Sequence, residues 1–113
     1  MAKYSVSITA DTTGTKVCNV KKKRGLPRYE YTIMAYGSTF GAGTVSWFIS
    51  PDNGTTLIAM TDLADAAITM TANKMFDGGL AASSHNDDVL SIWVKMTGST
   101  NPTVTAVVYD NNG

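Results

Sequence analysis

The sequence predicts an all-β domain, a single antiparallel β-sandwich or jelly-roll-like fold of about seven to eight short strands. Thr, Ser, Gly, Asn and Val are abundant whereas glutamate occurs once, at Glu30, a balance that favours strands and turns over helices. Several segments alternate apolar and polar residues with a period of two. Turn-forming residues recur at intervals of roughly 8 to 12 positions, a spacing typical of sandwiches and jelly rolls.

The length and charge of the chain limit its number of domains and its possible partners. Residues 1–113 are interpreted as one domain. The formal net charge is zero, so we expect no nucleic-acid or membrane partner. No segment approaches the roughly 20 apolar residues of a membrane span, and the N-terminus lacks the apolar run of a signal peptide. With Cys18 as its one cysteine, the chain is predicted to be made in a reducing cytoplasm.

The strands of the first half are predicted from their alternation. They are Tyr4 to Ala10, Lys16 to Val20, Arg28 to Tyr36 and Thr44 to Ser50. The residues that share the apolar face of the third and fourth strands are Tyr29, Tyr31, Ile33, Ala35, Val45, Trp47 and Ile49. Both tryptophans are interpreted first as core residues, although Trp93 falls on the opposite face from its apolar neighbours.

Turns separate the remaining predicted strands. Pro51-Asp52-Asn53-Gly54 fits a tight reversal, because proline fixes φ and Asn-Gly tolerates positive φ. Asp62 to Ala67 predicts a single helical turn or none, and Asn73 to Asp88 predicts a long loop. The strands of this half are Thr55 to Thr61, Ile68 to Ala72, Val89 to Met96 and Thr103 to Tyr109.

Candidate catalytic and metal-binding residues are few. Ser84, His85 and Asp87 are neighbours in one predicted loop, which does not favour the geometry of a catalytic triad. Cys18 lies between valines and is interpreted as structural. The oxygen donors Asp77, Asn86, Asp87 and Asp88 lack the spacing of a calcium loop. We therefore predict no catalytic residue, cofactor site or metal site.

Two groups of residues are candidates for a protein interface. Lys21, Lys22, Lys23 and Arg24 form the one cluster of charge, which is typical of a solvated loop or, alternatively, suited to contact with phosphates or with an acidic protein surface. Phe48 and Trp93 lie off the apolar faces of their strands. Aromatic residues that point outward are enriched at subunit interfaces.

The segment from Gly37 to Thr56 carries a resemblance to a known class. Its glycine-flanked turn, a strand and the sequence Ser-Pro-Asp-Asn-Gly resemble a pattern in small structural proteins of tailed bacteriophages, many of which are similar to capsid decoration (cement) proteins. The matching pattern covers about 20 residues and describes a hairpin. Asn53 stands where these proteins often have glycine.

The resemblance implies a non-enzymatic role on the outer face of a phage capsid. The expected partners are the major capsid protein and copies of this chain, including a trimer, and the expected location is the virion after synthesis in the host cytoplasm. A carbohydrate- or receptor-binding module of a tail or fibre is the alternative, with exposed tryptophans stacking on sugars. A neck or tail connector is a third possibility, and an enzyme is disfavoured.

Overall fold

The computed structural model describes residues 2–21, 28–62, 64–81 and 90–111. These residues form nine antiparallel strands in two packed sheets, and no helix occurs among them. The strands are β1 (Ala2–Ile8), β2 (Thr15–Val20), β3 (Arg28–Thr39), β4 (Thr44–Ser50), β5 (Ile58–Ala59), β6 (Thr69–Met70), β7 (Lys74–Ala81), β8 (Leu90–Thr97) and β9 (Thr103–Asp110). The predicted all-β sandwich is confirmed.

The strand order is that of a jelly roll. The four-stranded sheet has the order β1-β9-β3-β7, and the five-stranded sheet has the order β2-β8-β4-β5 with β6 also paired to β4. Strand β1 therefore pairs with β9, β2 with β8, and β3 with β7. The chain folds like one long hairpin whose successive strand pairs fall in opposite sheets, which is the jelly-roll arrangement of two sheets.

The core lies between the sheets and contains the residues that alternation places there. The predicted inward face of β3 is buried, as are those of β4 and β8. Trp47 is 1% exposed, and its indole Nε1–H donates a hydrogen bond to Met70 Sδ at 3.3 Å. No buried side-chain nitrogen or oxygen of the described residues lacks a hydrogen-bond partner. The two sheets thus share one core, in which the buried side-chain polar atoms of the described residues all have hydrogen-bond partners.

The structure corrects the prediction that residues 73–88 form a long loop. Lys74–Ala81 is strand β7, which pairs with β3 along eight positions from Arg28↔Ala81 to Ala35↔Lys74. Residues 82–88 of that predicted loop lie outside the described residues. The strand count is accordingly nine among the described residues, above the predicted seven to eight.

Two predicted strands are much shorter than expected. Thr55 to Thr61 contributes only Ile58–Ala59, and Ile68 to Ala72 contributes only Thr69–Met70, each pairing with β4. Asn53 and Gly54 form a turn with positive φ, as their sequence predicts, but the first pair beyond it is Ile49↔Ile58, so the reversal is wider than the predicted tight turn. Asp62 explains why no strand continues between β5 and β6, because its carboxylate Oδ1 accepts the N–H groups of Ala64 and Ala66 and closes a turn.

Candidate interaction surface

The structure brings the two predicted interface aromatics together on the outer face of the five-stranded sheet. Phe48 on β4 is the register partner of Trp93 on β8, and Lys16 on β2 is the partner of Trp93 on its other side. The pairing follows from antiparallel register, since both aromatics occupy the outward positions of their strands. Phe48 and Trp93 are each half-buried. We call Phe48, Trp93, Lys16 and Lys95 the aromatic surface.

A loop covers part of Trp93. Gly54 lies so close to the indole that a Cβ atom at this position would be 2.4 Å from Trp93 Cζ2. On the other side, a Cβ at Gly14 would be 3.8 Å from Trp93 Cε3. The indole Nε1–H donates a hydrogen bond to Ser91 Oγ at 2.8 Å. Trp93 is therefore held in one orientation, and part of the ring remains accessible.

The covering loop is fixed by side-chain hydrogen bonds at its base. Ser50 Oγ accepts the Gly54 N–H at 2.7 Å and donates to Asp52 Oδ1 at 2.8 Å. Asp52 Oδ1 also accepts the Thr56 N–H at 2.7 Å. That backbone hydrogen bond is the main reason why the pKa of Asp52 is lowered. Asn53 adopts a φ of 57°, a left-handed conformation that asparagine tolerates well.

The two lysines of the aromatic surface lie beside its aromatic rings. Lys95 Nζ lies 4.8 Å from the centre of the Phe48 ring, a cation–π distance. Lys16 Nζ donates a hydrogen bond to Asn53 Oδ1 at 2.7 Å and so ties β2 to the covering loop. An open polar concavity of about 400 Å³ lies beside this contact, lined by Lys16, Asn19, Pro51, Asp52, Asn53 and Ser91. The surface thus combines aromatic faces, two cations and polar groups.

The basic cluster is described only at its first residue. Lys21 follows β2, is exposed, and donates its backbone N–H to Asp110 Oδ2 at 3.4 Å. Lys22, Lys23 and Arg24 lie outside the described residues. Because Lys21 continues the strand that carries Lys16, at least one member of the cluster borders the five-stranded sheet.

At the opposite end of the sandwich, a second carboxylate organises a turn. Asp11 accepts hydrogen bonds from the hydroxyl and N–H of Ser99 and from the N–H of Gly98. The Ser99 hydroxyl contributes most to the lowered pKa of Asp11. The backbone of the next residue, Thr100, donates its N–H to the Gly41 carbonyl at 2.9 Å. Three separate chain segments are therefore joined at this tip.

Of the candidate reactive residues named from the sequence, the structure describes Cys18 and Asp77. Cys18 is buried, and desolvation, followed by the charge of Asp110, raises the pKa of its thiol to about 12, so it is not a thiolate at neutral pH. No three His, Cys, Asp or Glu side chains in these ranges lie close enough to hold a metal ion. Asp77 is on β7 and accepts a hydrogen bond from Thr32 Oγ1 at 2.7 Å. Ser84, His85, Asn86, Asp87 and Asp88 lie outside the described residues.

An apolar cleft was not foreseen from the sequence. It has a volume of about 370 Å³ and lies where β7 of one sheet approaches β5 of the other, between Tyr31, Ile49, Ile58, Met60 and Leu90. Ile58, at its rim, is 53% exposed. The shortness of β5 could not be read from the alternation, and this shortness leaves the edge of the sandwich open.

The comparisons with known proteins identify no family. No protein-family model matches the chain, and no curated protein or solved structure is significantly similar to it. Within the described ranges, no helix is long and apolar enough to cross a membrane.

Proposed function

We propose that this protein is a non-enzymatic structural component of a tailed-phage virion that binds the outer surface of the capsid in many copies and stabilises it. The observation that carries the proposal is the resemblance of the segment from Gly37 to Thr56 to small phage structural proteins. The jelly-roll strand order supports it, because viral capsid proteins are among the classes that use this topology.

The geometry of the resembling segment explains what its residues contribute. Strand β4 spans the sandwich. At one end Thr100 donates its N–H to the Gly41 carbonyl, and at the other the Ser50-to-Gly54 loop packs on Trp93 and accepts the Lys16 hydrogen bond at Asn53. Both ends of the strand are thereby fixed to neighbouring segments. A rigid surface of this kind loses little conformational entropy on binding, and many copies on a lattice strengthen individually weak contacts.

The proposed contact with the capsid is the aromatic surface together with Lys21. Trp93 and Phe48 provide a central apolar area, and Lys16 and Lys95 provide positive charge at its border. Aromatic residues surrounded by polar groups are the usual composition of an interface centre. The complementary capsid surface would carry acidic side chains around an apolar depression.

A carbohydrate- or receptor-binding module of a tail or fibre is the second candidate. Lectin domains also use the jelly roll, and the polar concavity beside Trp93 offers hydrogen-bonding groups near an aromatic ring. Trp47 is buried and cannot stack on a sugar. The module would therefore depend on Trp93 alone of the two tryptophans, which favours the capsid proposal. A neck or tail connector remains the third candidate.

Particles assembled with and without the protein test the leading proposal. We expect particles that lack it to release their DNA at a lower temperature, measured with a DNA-binding dye. Added purified protein should restore the release temperature, whereas a Trp93→Ala/Phe48→Ala variant should restore it poorly. Identical release temperatures for the two kinds of particle, with no binding of the added protein, would contradict the proposal.

Tryptophan emission separates the second candidate from the first. Because Trp47 is buried, a change of emission on adding sugars would report on Trp93. The capsid proposal predicts no sugar-dependent change, measured with a panel of neutral and acidic saccharides and with Trp93→Phe as the control. A saturable change that Trp93→Phe abolishes would favour the carbohydrate-binding module.

A further inference from the structure

Strand β7 forms one edge of the four-stranded sheet, and its outer side has no partner among the described residues. It pairs with β3 at eight consecutive positions without a bulge. Its exposed residues are Lys74, Met75, Asp77 and Gly79, so no described segment covers the strand. In an antiparallel ladder the backbone groups of alternate residues point to opposite sides, so about four N–H and about four C=O groups of β7 face away from β3.

The other edges of the two sheets are less open to a further strand. Strand β2 is interrupted by a register shift between Lys16 and Cys18, and β5 consists only of Ile58–Ala59. Strand β1 lies against β2, so the two sheets approach each other on that side of the sandwich. On the side of β7 and β5 the sheets instead leave the apolar cleft of about 370 Å³. A long, regular and uncovered edge strand of this kind is suited to pairing with another chain.

The apolar cleft lies where the inward side chains of an added strand would point. A strand paired to β7 would lie about 4.8 Å beyond it, with every second side chain directed between the two sheets. Gly79 of β7 and Ile58 of β5 both line the cleft, which therefore opens beside this edge. A cavity of roughly 150 Å³ holds a benzene ring, so the cleft has room for at least one apolar side chain.

One polar group at the cleft also lacks a partner. Tyr31 is 5% exposed, and its ring packs on Gly78, where a Cβ would lie 3.3 Å from Tyr31 Cζ. No hydrogen bond joins the Tyr31 hydroxyl to another described residue. Because the fully buried side-chain oxygens of the described residues are all hydrogen-bonded, this hydroxyl is the part of Tyr31 that is exposed at the cleft. Burial raises the pKa of Tyr31 to about 12, so the hydroxyl is a neutral donor at physiological pH.

We propose that the outer edge of β7 and the apolar cleft together bind an extended segment of another protein by strand addition. Backbone hydrogen bonds to β7 supply affinity, and an apolar side chain in the cleft supplies specificity, as in other complexes of this kind. The residue that faces Asp77 is Lys or Arg, because opposite charges at directly facing positions stabilise a strand pair. This inference does not depend on the capsid assignment.

The register of β7 defines the sequence pattern of the segment. Asp77 points to the outer face of the sheet, whereas its neighbours Phe76 and Gly78 pair with inward residues of β3. The segment therefore reads apolar–basic–apolar, with the apolar side chains on the side of the cleft. A second copy of β7 fits poorly. In antiparallel pairs that keep both apolar faces on one side, the registers with most overlap place the two Asp77 carboxylates opposite or diagonal to each other, where they repel.

Titration of the full-length protein with a synthetic peptide tests the proposal. The probe is acetyl-Thr-Leu-Lys-Leu-Thr-amide. The control, acetyl-Leu-Thr-Lys-Thr-Leu-amide, has the same composition but places its leucines on the same face as the lysine. In ¹⁵N-labelled protein the probe should shift the NMR signals of β7 and of Ile58 to Thr61, with a dissociation constant on the order of 1 mM. It should also slow hydrogen exchange of β7 amides, and the control peptide should cause no saturable shift.

Substitutions at exposed positions locate the bound peptide. Ile58→Asp places a charge at the rim of the cleft and should raise the dissociation constant at least about tenfold. Asp77→Lys should raise it about threefold or more, and a probe with Glu in place of Lys should recover this loss. Tyr4→Asp, at a 41% exposed position on the opposite edge strand, is the matched control and should leave binding unchanged. Circular dichroism should confirm that each variant is folded.

Four results would overturn the proposal. The first is no saturable binding of the probe, and the second is equal binding of the probe and the control peptide. The third is binding that Tyr4→Asp abolishes and Ile58→Asp does not. The fourth is protection of the β7 amides that rises with protein concentration in the absence of peptide, since a second copy of the chain would then occupy the edge.

Discussion

Gly54→Ala tests the conclusion that the Ser50-to-Gly54 loop is built to cover Trp93. Gly54 has a φ of 101°, a conformation that residues with a Cβ rarely adopt. The added methyl carbon would lie 2.4 Å from Trp93 Cζ2 and 2.6 Å from Trp93 Cη2. Both atoms belong to a rigid ring that is itself held by its hydrogen bond to Ser91. Relief therefore requires the loop to lift or the indole to turn.

The size of the effect follows from two contributions. The left-handed conformation costs a residue with a Cβ about 1–2 kcal/mol, and inserting a methyl group into occupied space costs about 1–3 kcal/mol. We expect Gly54→Ala to lower the free energy of unfolding by about 3 kcal/mol. Urea denaturation measures the loss. The tryptophan emission of the folded variant should also shift to the red, because a lifted loop exposes Trp93.

Gly98→Ala separates the two contributions. Gly98 also has a positive φ, 69°, but no atom lies within 4 Å of the position its Cβ would occupy. We expect this variant to lose about 1 kcal/mol with an unchanged emission spectrum. If Gly54→Ala were no less stable than Gly98→Ala, the close packing of Gly54 on Trp93 would be refuted.

Three further predictions concern the carboxylates and the core. Asp11 and Asp52 have pKa values lowered by the hydrogen bonds they accept. Their contribution to stability is therefore complete above their unfolded pKa of about 4 and is lost as the pH falls through the lowered folded values. Urea denaturation between pH 6 and pH 2 should show this loss of stability, and the loss should be smaller in Asp11→Asn. Cys18, buried and with a pKa of about 12, should react with a thiol reagent at pH 8 only after unfolding; rapid reaction of the native protein would contradict its placement. Trp47→Phe removes the hydrogen bond to Met70 Sδ and leaves a void, so thermal or urea unfolding should show a loss of about 2 kcal/mol, and a loss below about 0.5 kcal/mol would contradict the packing.

Alternation alone was sufficient to predict the core faces of the central strands. From Tyr29 to Ala35 of β3, and along β4 and β8, apolar residues occupy every second position, and those positions are buried. The boundaries of β4, Thr44–Ser50, agree with the prediction. These strands have partners on both sides, so the inward face must be apolar along its whole length.

Strand β7 was missed because its inward face is interrupted for a packing reason. Gly78 occupies an inward position opposite Tyr31, and a Cβ there would lie 2.7 Å from Tyr31 Cε1. The glycine makes room for the tyrosine ring, but in the sequence Gly78-Gly79 is typical of a turn. As an edge strand, β7 also has no requirement for apolar residues on its outer side, so its pattern is weak.

The candidate surfaces could be predicted only in part from the sequence. The outward placement of Phe48 and Trp93 follows from alternation, but their pairing depends on the register between β4 and β8, and the cover over Trp93 depends on a loop contact. Met75 is the register partner of Met34 on β3, and the missed strand β7 supplies it. Local patterns do not specify such tertiary neighbours.

The number of copies in purified particles of the source virus tests the proposed function most directly. Quantitative mass spectrometry against the major capsid protein provides this number. Decoration of the capsid predicts on the order of hundreds of copies, at a fixed ratio to the capsid subunit, as lattice binding requires. A few copies per particle would instead indicate a tail, neck or fibre component, and absence from the particle would contradict the structural role.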